Sequence, residues 1–179
     1  MNDIMMETDR LIIRRFKSDD WKDLYDYLSK EEVVKYEPYG VFNEEESRNE
    51  AARRANDESF FAVELKENNK VIGNIYFAKD GPEQFLTWEI GYVFNSDYQG
   101  KGYATEASER IIKYGFEELN AHRIKARCNP VNEKSWHLME RLNMRREGHF
   151  ISNAFHSMTK DGKPIWHDAY EYGILKEEF

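Results

Sequence analysis

Gln99-Gly100-Lys101-Gly102-Tyr103-Ala104-Thr105 lies between an apolar run, Leu86 to Phe94, and a helical stripe of Ala104, Ala107, Ile111, Gly115 and Leu119. A strand that turns through glycines into a helix start makes an anion cradle. The first amides of a helix have no intrahelical partner, and the helix dipole adds positive charge there. Gly100 and Gly102 let a pyrophosphate approach the main chain with no Cβ in the way, and Lys101 adds a cation. Other phosphate loops fit less well. A P-loop needs Ser or Thr after its lysine, and Lys101 is followed by Gly102. A dinucleotide turn needs a third glycine where Thr105 stands. The plain alternative is an ordinary strand-to-helix connection that contains two glycines.

Outward from this loop the chain reads as alternating and helical segments. Leu11 to Phe16 is a first strand. Ser18 caps a helix whose stripe is Trp21, Leu24, Tyr25 and Leu28. Asn43 with Glu46 is a capping box for a charged, solvated helix that reaches about Asp57. Phe60 to Leu65, Val71 to Ala78 and Leu86 to Phe94 form a meander, turning at Glu67-Asn68-Asn69-Lys70 and at Asp80-Gly81-Pro82. After the loop helix come a short strand at Ile124, Ala126 and Cys128, and a helix from Asn132 to Leu142. Val131 and Trp136 are spaced as a hydrophobic staple around that helix's Asn132 cap, and Asn143 ends it in a left-handed conformation. Strands at about Arg146 to Ser152 and Trp166 to Leu175 close the order βααβββαβαββ, a mixed α/β (α+β) fold.

With 179 residues and no linker-like or repeated segment, residues 1–179 are expected to form a single domain. No apolar run approaches the roughly 20 residues of a membrane span. Met1 to Arg15 carries Asp3, Glu7 and Asp9 and lacks a signal peptide's pattern. Cys128 is the only cysteine, so no internal disulfide is available, and together these features point to the cytoplasm. With 26 basic and 34 acidic residues the net charge is −8, which disfavours nucleic acid and leaves a field suited to a cationic amine. His122, His137, His149 and His156 show no metal spacing with Cys128, so no metal site is expected. Cys128, Trp21, Trp88 and Trp136 read as packing residues.

Gln99-x-x-Gly102-x-Ala104 resembles the acetyl-CoA motif of the GNAT N-acetyltransferase superfamily. Thr8-Asp9-Arg10-Leu11-x-x-Arg14, Glu89-Ile90-Gly91-Tyr92, Gly102 to Ala107, Asn129-Pro130-x-Asn132-x-x-Ser135 and Trp166-His167-Asp168-x-Tyr170 look like its ribosomal-protein N-terminal (alanine/serine) acetyltransferase branch. The resemblance covers essentially the whole chain in order. It implies a mostly antiparallel central sheet flanked by helices, with acetyl-CoA as co-substrate. Tyr92, Val93 and Phe94 would offer main-chain hydrogen bonds to pantetheine. Gln99, Gly100, Lys101, Gly102, Tyr103, Ala104 and Thr105 would form the pyrophosphate loop, and Asn132 with Ser135 would meet the pantetheine arm. Dimers are frequent among related chains, so a homodimer is expected by analogy alone.

The implied reaction is attack of a neutral primary amine on a thioester, in a ternary complex. At pH 7 a lysine-like amine is neutral in roughly one molecule in 2500, a cost near 4.6 kcal/mol, against about 1 kcal/mol for an α-amine. A carboxylate that removes the proton, directly or through water, is therefore useful. Glu89, on the strand leading to the cofactor, is the candidate base; its other reading is a structural carboxylate paired with an arginine or capping a loop. Strand N–H groups suit the tetrahedral oxyanion. Many members of the family carry an acidic tyrosine seven residues after the helix-cap asparagine, where this chain has Met139. The resembled branch points instead to Ser135, whose other reading is a first-turn residue bonded to its own backbone. Trp166-His167-Asp168 reads equally as acceptor lining or as a structural turn. The expected acceptor is a protein N-terminal α-amine or a small-molecule amine. The alternative function is a non-catalytic acyl-CoA-binding sensor, for which Met139 is the support.

Overall fold

The computed structural model describes residues 4–179. Its eight strands are β1 (Met5–Glu7), β2 (Leu11–Arg15), β3 (Phe60–Leu65), β4 (Val71–Lys79), β5 (Thr87–Phe94), β6 (Arg123–Cys128), β7 (Arg145–Met158) and β8 (Pro164–Leu175). They form one sheet in the order β1-β2-β3-β4-β5-β6-β8-β7. Every neighbouring pair is antiparallel except β5 and β6. The helices are α1 (Trp21–Leu28), α2 (Glu31–Val34), α3 (Glu44–Ala55), α4 (Tyr103–Glu117) and α5 (Glu133–Arg141). Among the described residues no helix is long and apolar enough to cross a membrane.

The sequence order is present with two additions. β1 spans three residues and folds back on β2 through a turn in which the Thr8 amide donates to Leu11 O at 3.0 Å. α2 is a single turn. Both are too short to show a period. Ser18 does not cap α1: Ser18–Asp20 forms a 3₁₀ turn, and the Asp20 carboxylate accepts the Lys17 amide at 2.7 Å. At α3 the expected capping box is present, with Asn43 and Glu46 exchanging bonds of 2.8 and 2.9 Å. Asn143 adopts φ 58° behind α5. The staple does not form, because Val131 is 67% exposed.

Strand alternation sorts the core onto two faces. Phe61, Val63, Ile75, Phe77, Ile90, Phe94, Ile124 and Ala126 point into one cluster with α4 and α5. Ala62, Val71 and Val93 join a smaller cluster with α1, which packs on α3. The charged α3 is less solvated than its sequence implied: Ala51 and Arg54 are buried, and the Arg54 guanidinium lies over the Phe60 ring.

α4 is seated by Gly115. A Cβ there would stand 2.7 Å from Phe77 Cζ and 3.0 Å from Ile124 Cδ1, on an aromatic ring already stacked against Trp88. Gly115→Ala gains helix propensity but overpacks this contact. It is expected to destabilise the fold by about 1–3 kcal/mol, read as a lower urea midpoint at unchanged m-value.

Candidate active site

β5 has a complete neighbour on one side and an incomplete one on the other. It pairs with β4 from Trp88 to Phe94, but with β6 only at Thr87, Glu89 and the residue between them. Beyond the Glu89–Lys125 pair, β6 continues along β8 to Cys128 while β5 leaves it. The strands part, and the far edge of β5 is left open.

The ladder with β4 fixes which groups face that opening. The Asn95 amide donates to Ile72 O at 2.9 Å, so Asn95 faces β4, and so do Val93 and Gly91 by antiparallel alternation. The main-chain groups of Ile90, Tyr92 and Phe94 then face the gap. Of Tyr92, Val93 and Phe94, the first and last turn their main-chain groups to the gap. Val93 is turned to Asn74.

At the end of β5, buried Asn95 accepts from Lys30 Nζ at 2.7 Å and donates to Asp26 at 2.9 Å, which anchors the strand's exit to α1 and its C-terminal flank. Gln99 Nε2 returns to Phe94 O at 3.0 Å. Gly100 and Gly102 take φ 76° and 82°, the left-handed region that favours glycine. The first α4 bond is Glu106 N–H to Gly102 O at 3.0 Å, so the amides of Tyr103, Ala104 and Thr105 lie ahead of the helical ladder. Lys101 Nζ sits on Asp97 O at 3.2 Å.

α5 forms the opposite wall. Lys134 Nζ donates to Gln99 Oε1 at 3.0 Å, and Arg141 Nε lies 3.4 Å from Thr105 Oγ1. Neither cation has a carboxylate partner among the described ion pairs. The sequence reading did not name these two residues. Their signal was their spacing, seven residues and about two turns apart on one helix stripe. Asn132 occupies the α5 cap position without a side-chain cap bond. Ser135 does not satisfy its hydroxyl on its own backbone. The Tyr92 hydroxyl crosses from β5 and lies 2.9 Å from Ser135 O and 3.1 Å from Ser135 Oγ. Burial holds the Tyr92 phenol far above its usual range, so it stays protonated. Beside it, burial pushes the Cys128 thiol up to about 11, against the opposing pull of Ser135 and Arg146. Met139 is buried in the core.

Glu89 projects on the other face of β5, where the strands begin to part. Its carboxylate is 30% exposed and lies 3.8 Å from Lys125 Nζ, which is 8% exposed. Lys125 also meets Asp80 at 2.7 Å and Glu171 at 3.9 Å. Three acids and one buried lysine make a polar floor. Over this face the Tyr36 hydroxyl reaches Val131 O at 3.4 Å, linking the α2–α3 connection to the β6–α5 connection. Trp166, His167 and Asp168 lie within β8 rather than in a turn; Asp168 accepts the Ser152 amide and bonds His149 Nε2, each at 2.9 Å. No group of three or more His, Cys, Asp or Glu among the described residues is placed to hold a metal ion.

Residues 10–145 match the family described as Acetyltransferase (GNAT) domain. The N-acetyltransferase YnaD of Bacillus subtilis (strain 168), described as uncharacterized, is 43% identical over 96% of this chain and 97% of its own length. A crystal structure of a GNAT-family acetyltransferase from Bacillus anthracis superposes with a TM-score of 0.88 at 42% identity, covering 98% of this chain and 100% of that one. Spermidine N-acetyltransferase from Vibrio cholerae, solved with CoA and spermine, shares the fold with a TM-score of 0.77 at 21% identity, covering 96% and 98%. The chain belongs to the GNAT acetyltransferase family. Its class of activity is N-acetyl transfer.

The α2–α3 connection also carries Glu37. Burial raises its carboxyl to about 7, with Tyr39 and the Arg54 charge opposing. An unfolded glutamate titrates lower, so the folded protein binds the extra proton between about pH 4.5 and 7 and loses stability as pH rises through that window. Glu37→Gln removes the penalty. The variant is expected to match wild type near pH 4.5 and to exceed it at pH 8 by on the order of 1–2 kcal/mol, seen as a Tm gap that opens with pH.

Proposed function

We propose that residues 1–179 act as one N-acetyltransferase domain that moves acetyl from acetyl-CoA to a primary amine by direct attack in a ternary complex. The observation that carries this reading is the parting of β5 and β6 immediately after Glu89 and Lys125. It opens one strand edge toward a glycine loop and sets a carboxylate on the opposite face at the same point.

In the proposed complex, Tyr92 and Phe94 offer main-chain groups to pantetheine, and the Gly100–Thr105 amides take the pyrophosphate. Lys134 and Arg141 face the phosphates across the loop. Glu89 takes the proton of the incoming ammonium, directly or through one water. The neutral nitrogen attacks the thioester carbon, a β5 amide donates to the oxyanion, and the adduct nitrogen's remaining extra proton passes through water to the departing thiolate. As the C–S bond breaks, Ser135 Oγ–H donates to the departing sulfur, whose thiol has a pKa of about 8.5 and so leaves readily as thiolate. The Tyr92 phenol supports this by donating to Ser135.

The acceptor is a primary amine. The resembled branch points to a protein N-terminus, and the Vibrio cholerae spermidine enzyme to a small polyamine. The net charge of −8 favours a cation in either case.

Thiol release from acetyl-CoA, measured against N-terminal peptides, polyamines, aminoglycosides and free amino acids, tests the reading. Release with one class names the acceptor; binding of acetyl-CoA with silence across the panel supports a non-catalytic sensor. With the responsive amine, Glu89→Gln is expected to lower kcat about 100-fold or more, and most at low pH, where the amine is hardest to deprotonate. Ser135→Ala lowers kcat less, about tenfold, with unchanged KM for acetyl-CoA. The pair Lys134→Ala, Arg141→Ala does the reverse, raising that KM about tenfold while sparing kcat.

A further inference from the structure

The Thr8-Asp9-Arg10 segment is 91 residues from the phosphate loop in sequence, yet Arg10 is packed against the loop's back. The Arg10 amide and Nε donate to the Glu106 carboxylate at 3.0 and 2.7 Å, and Nη2 stands 2.6 Å from it. Thr8 Oγ1 donates to the same carboxylate at 2.5 Å. Arg10 Nη1 donates to Lys101 O at 2.9 Å. The guanidinium lies 4.4 Å from the centre of the Tyr103 ring. A Cβ on Gly102 would stand 3.3 Å from Nη2, a tight approach beside the guanidinium. Lys66 holds the segment from below, its amide donating to Arg10 O at 3.0 Å and its Nζ to Thr8 O at 2.7 Å.

We propose that Arg10 is a positioning residue for the pyrophosphate of the acyl donor, acting through the loop rather than by touching the ligand. This rests on the reading of Gly100–Thr105 as the pyrophosphate cradle. Two physical effects carry it. The first is charge. Glu106 stands in the first turn of α4, and a bare carboxylate there repels an anion at the helix start. Arg10 and Thr8 outweigh burial and hold that carboxyl below its usual range, so it is an anion and needs its cation. The second is orientation. In a planar trans peptide the C=O and the following N–H point in opposite directions. Holding Lys101 O at the back of the loop turns the Gly102 N–H to the front. One side chain thus cancels the misplaced charge and aims an amide.

The test is calorimetric titration of wild type, Arg10→Ala, Arg10→Lys and Arg10→Ala/Glu106→Gln with CoA, and with pantetheine, which lacks the phosphates. Arg10→Ala is expected to weaken CoA about tenfold and to leave pantetheine unchanged. The double variant recovers part of the CoA affinity by removing the exposed acid, and Arg10→Lys recovers part by restoring the cation. Equal losses for CoA and pantetheine, or no loss for either, overturn the assignment. A wild type that binds CoA no more tightly than pantetheine overturns the pyrophosphate reading of the loop, and this inference with it. A wild type that prefers CoA but does not respond to Arg10→Ala overturns this inference alone.

Discussion

The structure turns on the short parallel pairing of β5 with β6. Parallel neighbours cannot be joined by a hairpin, so the chain must leave β5, cross a face of the sheet and return, and α4 makes that crossing. The crossover is what brings a helix start to the end of an open strand. Each strand keeps one complete partner, β4 for β5 and β8 for β6, and this lets them separate without unravelling the sheet. The separation leaves Tyr92 and Phe94 with main-chain groups unanswered by β6. Gln99 Nε2 answers Phe94 O from the loop, and in the proposed complex an amide-bearing pantetheine would answer the remaining groups.

A chain of net charge −8 that handles a polyanionic donor must arrange its charges by side. On the loop side the proposed attraction comes from helix amides and from Lys134 and Arg141, cations without carboxylate partners among the described residues. On the opposite face, Asp80, Glu89 and Glu171 cluster around Lys125, and Glu171 is also held by Arg127 at 2.7 Å. The sheet stands between the two sets. In the proposed complex a cationic acceptor and an anionic donor approach from opposite faces and meet where β5 and β6 part.

Much of this was legible in the sequence. The meander, the loop and α4 were readable because their periods are long and their turn residues have one conformational use. The α3 capping box and the left-handed Asn143 were readable for the same reason. What was not legible follows from distance or from shortness. β1 and α2 are too brief to carry a period. The Val131–Trp136 spacing matched a staple, but Trp136 turns its indole N–H to Pro130 O at 3.1 Å instead and leaves Val131 in solvent. Tyr92, Val93 and Phe94 are consecutive in the motif, whereas a strand sends alternate main-chain groups to opposite neighbours, so only the fold shows Val93 turned to Asn74. Arg14 was visible as part of a pattern, but only the fold shows it clamped between Asp20 and Glu64, whose carboxylates outweigh burial and keep it charged.

The residue at the family tyrosine position shows how a departure can be absorbed. Met139 fills the core and offers no proton. The hydroxyl that reaches α5 comes instead from Tyr92, on the strand across the gap. That half-buried phenol is held above its usual range, and in the proposed mechanism its value lies in direction. When it donates to Ser135 Oγ, the serine proton is free to point at the sulfur; when it donates to Ser135 O, its own lone pairs compete for that proton. The two arrangements differ by one hydroxyl rotation. A leaving group that is already a tolerable anion needs a donor at the right moment more than it needs a strong acid, and in the proposed mechanism a Tyr–Ser pair spanning the gap would supply it without a tyrosine on α5.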